Sequence, residues 1–315
     1  MTDMEKKIIK EIQKKEAIFF DNVAKLRTTI VNVPVEADYT NAKKFIPKKN
    51  QRVPLVDPKL TKILEGKYVQ KYLDLVAHKN NGRVLDICCG SGWLALELAR
   101  RGQIVDAYDL SPEAIKLAKK TLKDCKKEKG FGQINYHLAD VSEVDLGSNK
   151  YDAISGWSAF HHLPDPNDFI LRAIKSLKTN GIIATCDDLE MGKIEKFLEL
   201  ACRFVLPQIH HSYIDKLFFL KKLILREEKI PEEVFSPMEE AKHCSVEEIE
   251  SVLRQNLNIV YFKQFNAFVG APVMTMAGND FFRYSMARLL VIIDNFLCKV
   301  KLTRGFVQII IARKN

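Results

Sequence analysis

No Cys-x-x-Cys pair occurs among the seven cysteines of this 315-residue sequence, which fall at 88, 89, 125, 186, 202, 244 and 298. An odd, scattered set offers neither a disulfide framework nor the ligand spacing of a zinc site, and a reducing cytoplasm suits it best. Glycine and proline are scarce, 14 and 11 residues, which excludes a fibrous or low-complexity chain. No apolar run opens the chain: Met1 to Lys15 is rich in Lys and Glu, unlike a secretory signal. The most apolar later stretch, Phe281 to Cys298, is broken by Arg283, Arg288 and Asp294, so no membrane-spanning helix is predicted. What is there, 47% hydrophobic and 28% charged residues, is the balance of a globular protein able to bury a sizeable core. Its net charge of +9 would attract nucleic acid, an anionic membrane surface or an acidic substrate, and does not choose among them.

Short β-branched runs alternate with helical patterns, the signature of a parallel sheet covered on both faces. The runs place strands at Arg83 to Cys88, Ile104 to Asp109, Ile134 to Ala139, Tyr151 to Trp157, Gly181 to Asp187, Asn258 to Phe265 and Gly305 to Ala312. This predicts an α/β fold, a Rossmann-like doubly wound seven-stranded sheet with its last strand antiparallel. Helices are expected near Trp93 to Arg101, Pro112 to Lys127 and Asp168 to Lys178, with Gly181 stopping the third. Residues 1–82 read as an N-terminal helical cap: an amphipathic helix to about Lys25, a stretch punctuated by Pro34, Pro47, Pro54 and Pro58, and a helix near Tyr68 to Ala77. The core is expected over 83–188 and a helical lid over 189–257, with helices at Phe197 to Val205 and Tyr213 to Leu225 and a Ser245/Glu248 capping box. Residues 258–315 would complete the core, interrupted at 270–304 by a helix near Phe281 to Leu297.

The most informative segment runs Val84-Leu85-Asp86-Ile87-Cys88-Cys89-Gly90-Ser91-Gly92-Trp93-Leu94-Ala95, an apolar strand entering a glycine turn and then a helix. Gly90 to Ala95 satisfies G-x-G-x-x-A, the dinucleotide fingerprint. Asp86 argues against a dinucleotide, because its carboxylate would face the pyrophosphate. S-adenosylmethionine carries no phosphate and brings an ammonium and a sulfonium, which a carboxylate stabilises.

On these residues the chain resembles the class I S-adenosylmethionine-dependent methyltransferases, and the Asp-Ile-Cys-Cys-Gly-Ser-Gly wording is similar to the ubiquinone and menaquinone biosynthesis methyltransferases and their small-molecule relatives. Cys88 stands where many members carry glycine. The resemblance covers about 83–187 and implies a set of cofactor contacts: Asp86, Cys88, Gly90 and Gly92 at the turn; Asp109, with Leu110, on the ribose; Asp140 and Val141 on the adenine; and Ser155 and Trp157 at the end of strand four. Asp109 and Asp140 would also serve as a helix cap and a turn residue, but three carboxylates at successive strand ends, where open α/β sheets bind ligands, favour a site. Asp152, at the other end of its strand, reads as structural.

Methyl transfer needs acceptor positioning, water exclusion and, for some acceptors, a base. His161 and His162, beyond strand four, are candidate bases, and Asp187 and Asp188, after strand five with Glu190, are second candidates. An extended segment would point the two histidines to opposite sides. Cys88 and Cys89 read as small buried packers. The apolar faces of 197–224 suit a lid over a small-molecule or lipid-like acceptor methylated at oxygen, and the basic amphipathic stretch Phe281 to Lys301 suits peripheral membrane contact. Two alternatives remain: a nucleic-acid methyltransferase, disfavoured because Ser155-Gly156-Trp157-Ser158 lacks the Pro-Pro-aromatic motif of base-amine enzymes, and a non-catalytic cofactor-binding protein.

Overall fold

The computed structural model of the chain describes residues 3–30, 33–46, 56–224, 236–241 and 245–315, so Pro47, Pro54 and Leu225 lie outside the described residues. Seven strands form one sheet in the order β3-β2-β1-β4-β5-β7-β6. They are β1 Arg83–Asp86, β2 Ile104–Asp109, β3 Gln133–Leu138, β4 Tyr151–Trp157, β5 Leu177–Asp188, β6 Asn258–Phe265 and β7 Val307–Arg313. The first five pair in parallel, and β7 runs antiparallel between β5 and β6. This is the expected sheet, with the reversal of strand direction confined to its last member.

Crossover helices fall where their signals lie. α4 (Trp93–Arg100) follows the glycine turn, and α5 (Pro112–Asp124) starts at Ser111, whose hydroxyl accepts from Ala114 N, with Pro112 in its first turn. α6 (Pro166–Ser176) corrects the sequence reading: it ends at Ser176, and Gly181 lies inside β5 instead of stopping the helix. The chain turns into the strand at once, with Leu177 paired to Tyr151 and Asn180 bending the backbone at a φ of 61°.

Two layers sandwich the sheet. On one face α3 (Gly66–Val76) inserts Tyr72, whose hydroxyl donates to Ala184 O on β5 at 2.9 Å and accepts from Gly156 N on β4 at 3.2 Å. On the other face α6 and α10 (Val246–Asn256) bury Phe169, Ile170, Ile249 and Leu253. Ser245 and Glu248 form the expected capping box of α10, which places this part of 189–257 under the sheet. A third apolar cluster joins α2 (Pro58–Leu64), α7 (Lys193–Val205), α11 (Gly270–Met274) and α12 (Asp280–Lys299). α8 (Tyr213–Ile224) follows α7, and α9 (Pro237–Glu240) is a single turn. α1 (Asp3–Ile30) lies along α5 at the C-terminal ends of β1 to β3. No helix among the described residues is long and apolar enough to cross a membrane.

Candidate active site

β1 and β4 lie in register, Asp86 beside Ser155, so their C-terminal ends open at one level. The chain leaves β1 through Cys88 at a φ of 47°, a left-handed conformation that glycine adopts without cost and a side chain does not. Cys89 packs into the core as expected. The two motif glycines serve different ends. A Cβ on Gly92 would meet the Tyr136 hydroxyl at 2.5 Å, whereas one on Gly90 would meet nothing within 4 Å among the described residues. Gly92 thus allows packing beneath the turn, and Gly90 leaves open space above it.

Asp86 is 1% exposed, and its Oδ2 has no hydrogen-bond partner among the described residues. Burial, with the Asp109 carboxylate adding, pushes its pKa well up, opposed by the Ala95 N–H. Asp109 ties the turn to β2: its Oδ2 accepts from Gly90 N at 2.7 Å and its Oδ1 from Ser111 N at 2.8 Å. Burial raises its pKa against the pull of those N–H groups and of His162. Asp140 accepts from Ser142 N through Oδ1 at 2.8 Å and from Gln13 Nε2 of α1 through Oδ2 at 2.6 Å. Cys88, Leu110, Asp140, Val141 and His162 line a hollow of about 30 Å³ under Gln13.

α1 seals this hollow with one face. Glu16 is 4% exposed and accepts from Ser236 Oγ and Met238 N, while Asp21 accepts from Ser111 Oγ and Glu113 N. Phe20 stands edge-on to the His162 ring. Gln13, Glu16, Phe20 and Ala24 recur at i, i+3, i+7 and i+11, so the packed face was present in the sequence, although its partner was not. Sequence reasoning missed Gln13 and Glu16 for that reason.

His161 and His162 occupy a single 3₁₀ turn, Phe160–His162, in place of the expected extended segment, and their rings lie 4.1 Å apart. They have different carboxylate partners: His162 Nδ1 lies 2.8 Å from Glu16 Oε1, and His161 Nδ1 lies 2.8 Å from Asp187 Oδ1. Asp187 is fully buried, and the same Oδ1 accepts from Ala159 N at 3.0 Å and Phe160 N at 3.1 Å, so β5 holds the whole histidine turn. Because the carboxylate accepts, Nδ1 carries the ring proton and Nε2 is the basic nitrogen.

Asp188 projects to the opposite face of β5 from Asp187, toward Glu65. Burial first, then the Asp188 and Glu36 carboxylates, push Glu65 up to about 8. Trp157 stands against Tyr72 and Trp93, with ring centroids 5.3 and 5.2 Å away, and Tyr39 tilts onto Trp93 at 5.5 Å. The fold thus adds an aromatic wall to Trp157 from elements far apart in sequence. Asp152 is structural as expected, bound by Lys79 Nζ at 2.9 Å, Lys178 Nζ at 2.7 Å and Arg83 N at 2.9 Å.

Residues 60–223 match the family described as methyltransferase domain. The chain is 33% identical over 115 residues to a ubiquinone biosynthesis O-methyltransferase of Xanthomonas oryzae pv. oryzae (strain PXO99A), a match covering 36% of this chain and 44% of that protein. To the enzyme of the same description from Coxiella burnetii (strain Dugway 5J108-111) it is 30% identical over 111 residues, 35% of this chain and 45% of the relative. The match thus spans less than half the length of these curated relatives. The solved structure of the [4+2]-cyclase SpnF superposes with a TM-score of 0.54 at 13% identity, covering 95% of both chains.

Proposed function

From the premise that this chain belongs to the methyltransferase-domain family, whose cofactor is S-adenosylmethionine, we propose that it transfers the methyl group to a hydroxyl oxygen of a small or lipid-like acceptor. The observation that carries the cofactor part of this reading is Asp86 Oδ2, a buried carboxylate oxygen with no partner among the described residues, at the end of the strand that enters the Gly90 turn. That oxygen fits a cationic amino-acid moiety and would repel a pyrophosphate. Asp109 and Leu110 then hold the ribose, and Asp140, Val141 and Cys88 the adenine. Ser155 and Trp157 flank the reacting end. The hollow at Asp140 is roughly a tenth of an ordinary ligand pocket of about 300 Å³ or more, so α1 swings outward to admit the cofactor. Residues 83–188 form the cofactor core in this reading, with α1 as cap and α7 and α8 as lid.

When bound, the cofactor supplies a methyl already activated by its sulfonium. The chain's residues do the rest: His161 Nε2 takes the acceptor's hydroxyl proton, Asp187 fixes the imidazole and stabilises its charge, and the tryptophan wall excludes water. His162, held by Glu16, belongs to the cofactor wall, and Asp188 borders the acceptor side. The relatives' description as O-methyltransferases of ubiquinone biosynthesis supports oxygen as the acceptor atom and an apolar acceptor.

Calorimetric titration with S-adenosylhomocysteine and NADH, followed by transfer of labelled methyl to hydroquinone and catechol acceptors, tests the reading. Binding of the first alone and labelling of an acceptor oxygen is the expected result. Binding of NADH instead overturns the cofactor assignment. Tight S-adenosylhomocysteine binding without transfer to any hydroxyl acceptor overturns the chemistry, leaving a cofactor-holding role on the fold that the cyclase shares.

A further inference from the structure

α12 presents large apolar side chains to the solvent as well as to the core. Its inner face buries Arg283, Tyr284, Ala287 and Asp294 and packs Leu290 and Leu297 into the third cluster. Its outer face exposes Phe281 (83%), Leu289, Ile292 (66%), Ile293, Phe296 (59%) and Val300. Phe281, Leu289, Ile292, Phe296 and Val300 are separated by 8, 3, 4 and 4 positions, so they form one stripe along a helix of 20 residues, about 30 Å long. A contiguous exposed apolar stripe of this kind ordinarily marks an interaction surface. At its start an open hollow of about 250 Å³, lined by Phe281, Phe282, Met286 and Leu289, interrupts the stripe.

Basic residues flank the stripe along its length. Arg288, Lys299 and Lys301 are exposed beside it. Of the helix's two acids, Asp294 is buried, and Asp280, exposed in the first turn, is paired with Lys44. Because β6 parallels β5, the segment linking β6 to β7 crosses the sheet edge where β1 to β5 also end. α12 therefore belongs to a connection that starts and ends at that edge. The helix is not long and apolar enough to cross a membrane.

We propose that the outer face of α12 docks on an anionic lipid bilayer, lying in the interface plane with Phe281, Ile292 and Phe296 among the acyl chains and Arg288, Lys299 and Lys301 at the headgroups. Arg288, Lys299 and Lys301 complement anionic phosphates, and large aromatic and aliphatic tips suit the headgroup boundary. This goes beyond the methyl-transfer reading and does not depend on it.

The experiment is co-sedimentation of the full chain with vesicles of phosphatidylcholine alone and of phosphatidylcholine with phosphatidylglycerol, at low and at physiological salt. Binding is expected to the anionic vesicles and to weaken with salt, since exposed charges are screened over about 8 Å at physiological ionic strength. Arg288→Ala and Lys299→Ala should each lower partitioning about fivefold, the equivalent of about 1 kcal/mol per basic residue. Ile292→Asp with Phe296→Asp should abolish it. Both sites are exposed, and an unchanged melting temperature with unchanged S-adenosylhomocysteine affinity shows that the fold and the cofactor site are intact. Failure of the wild-type chain to bind anionic vesicles at low salt overturns the proposal, as does binding that survives the double Asp variant. A wild-type dimer that the double variant makes monomeric, without vesicle binding, assigns the face to a second copy of the chain and likewise overturns it. No arm uses an acceptor, so failure here is distinct from failure of methyl transfer.

Discussion

Replacing Asp187 by Asn tests whether the histidine turn is a catalytic unit or only a folded loop. The carboxylate accepts three hydrogen bonds on one oxygen, from Ala159 N, Phe160 N and His161 Nδ1. An asparagine carbonyl can keep the two backbone bonds but not the charge. A bond to a charged acceptor is worth about 1.5–3 kcal/mol and a neutral one about 0.5–1.5, so three such losses sum to roughly 3 kcal/mol. At about 2–4 °C per kcal/mol for chains somewhat shorter than this one, Tm should fall on the order of 5–10 °C, leaving the chain folded at assay temperature. The rate effect differs in kind. Without the anion, the Nδ1 proton and the ring orientation are no longer fixed, and single-turnover methyl transfer should drop toward the level of His161→Ala, about 10²–10⁴-fold below wild type. S-adenosylhomocysteine affinity should stay within about twofold. The two substitutions should be strongly non-additive, because each disables the same base. Wild-type turnover in Asp187→Asn despite its lower Tm would refute the argument, and so would a double variant whose losses multiply in full.

Asp109→Asn should weaken S-adenosylhomocysteine binding by about 10–100-fold, the equivalent of about 1.5–3 kcal/mol, by calorimetry; unchanged affinity removes Asp109 from the ribose site. Glu65 at about 8 when folded and 4.5 unfolded keeps a proton that the unfolded chain has released, so it makes stability fall as pH rises between those values. Glu65→Gln should therefore flatten the Tm–pH curve from about pH 5 to 8, and a steeper curve in the variant would contradict this. Asp152 is held down at about 2 by its hydrogen bonds to Lys178, Arg83 and Lys79, working against its burial, so its contribution is present above 3.8 and lost as pH falls toward 2. With both lysines more than a third exposed, Asp152→Asn should cost about 1–2 kcal/mol near neutrality and little at pH 2, read from urea unfolding.

The strands around the site were legible because parallel strands covered on both faces read as nearly unbroken apolar runs. Val84 to Asp86 and Ile104 to Asp109 are such runs, and their acidic last residues marked the ligand edge. β5 was read as starting at Gly181, four residues late, because Lys178, Thr179 and Asn180 are polar and carry no strand pattern, although Leu177 already pairs with Tyr151. α2 went unseen: seven residues capped by Asp57 before Pro58 give too short a period to detect. The histidine pair was identified, but its geometry was misjudged, since the turn depends on Asp187 accepting from the backbone 27 and 28 positions away. The docking of α1 was beyond local reading, because Gln13 meets Asp140 across 127 residues. Trp93 and Trp157 likewise meet only through the fold.

If the cofactor binds where it is proposed to, the grip of α1 on the strand ends makes its affinity a property of a conformational equilibrium as well as of the pocket. On the proposed placement an incoming adenine competes with the Gln13 carboxamide for Asp140, and Glu16 must release its partners before the helix can leave. The dissociation constant that a titration reads is then the intrinsic one divided by the fraction of molecules already open. Release of the demethylated product is subject to the same helix, so the slowest event of a cycle can be the parting of α1 from α5 rather than the transfer itself. Substitutions at Gln13, 127 positions from the carboxylate it occupies, would then set the tempo of the enzyme without touching its chemistry.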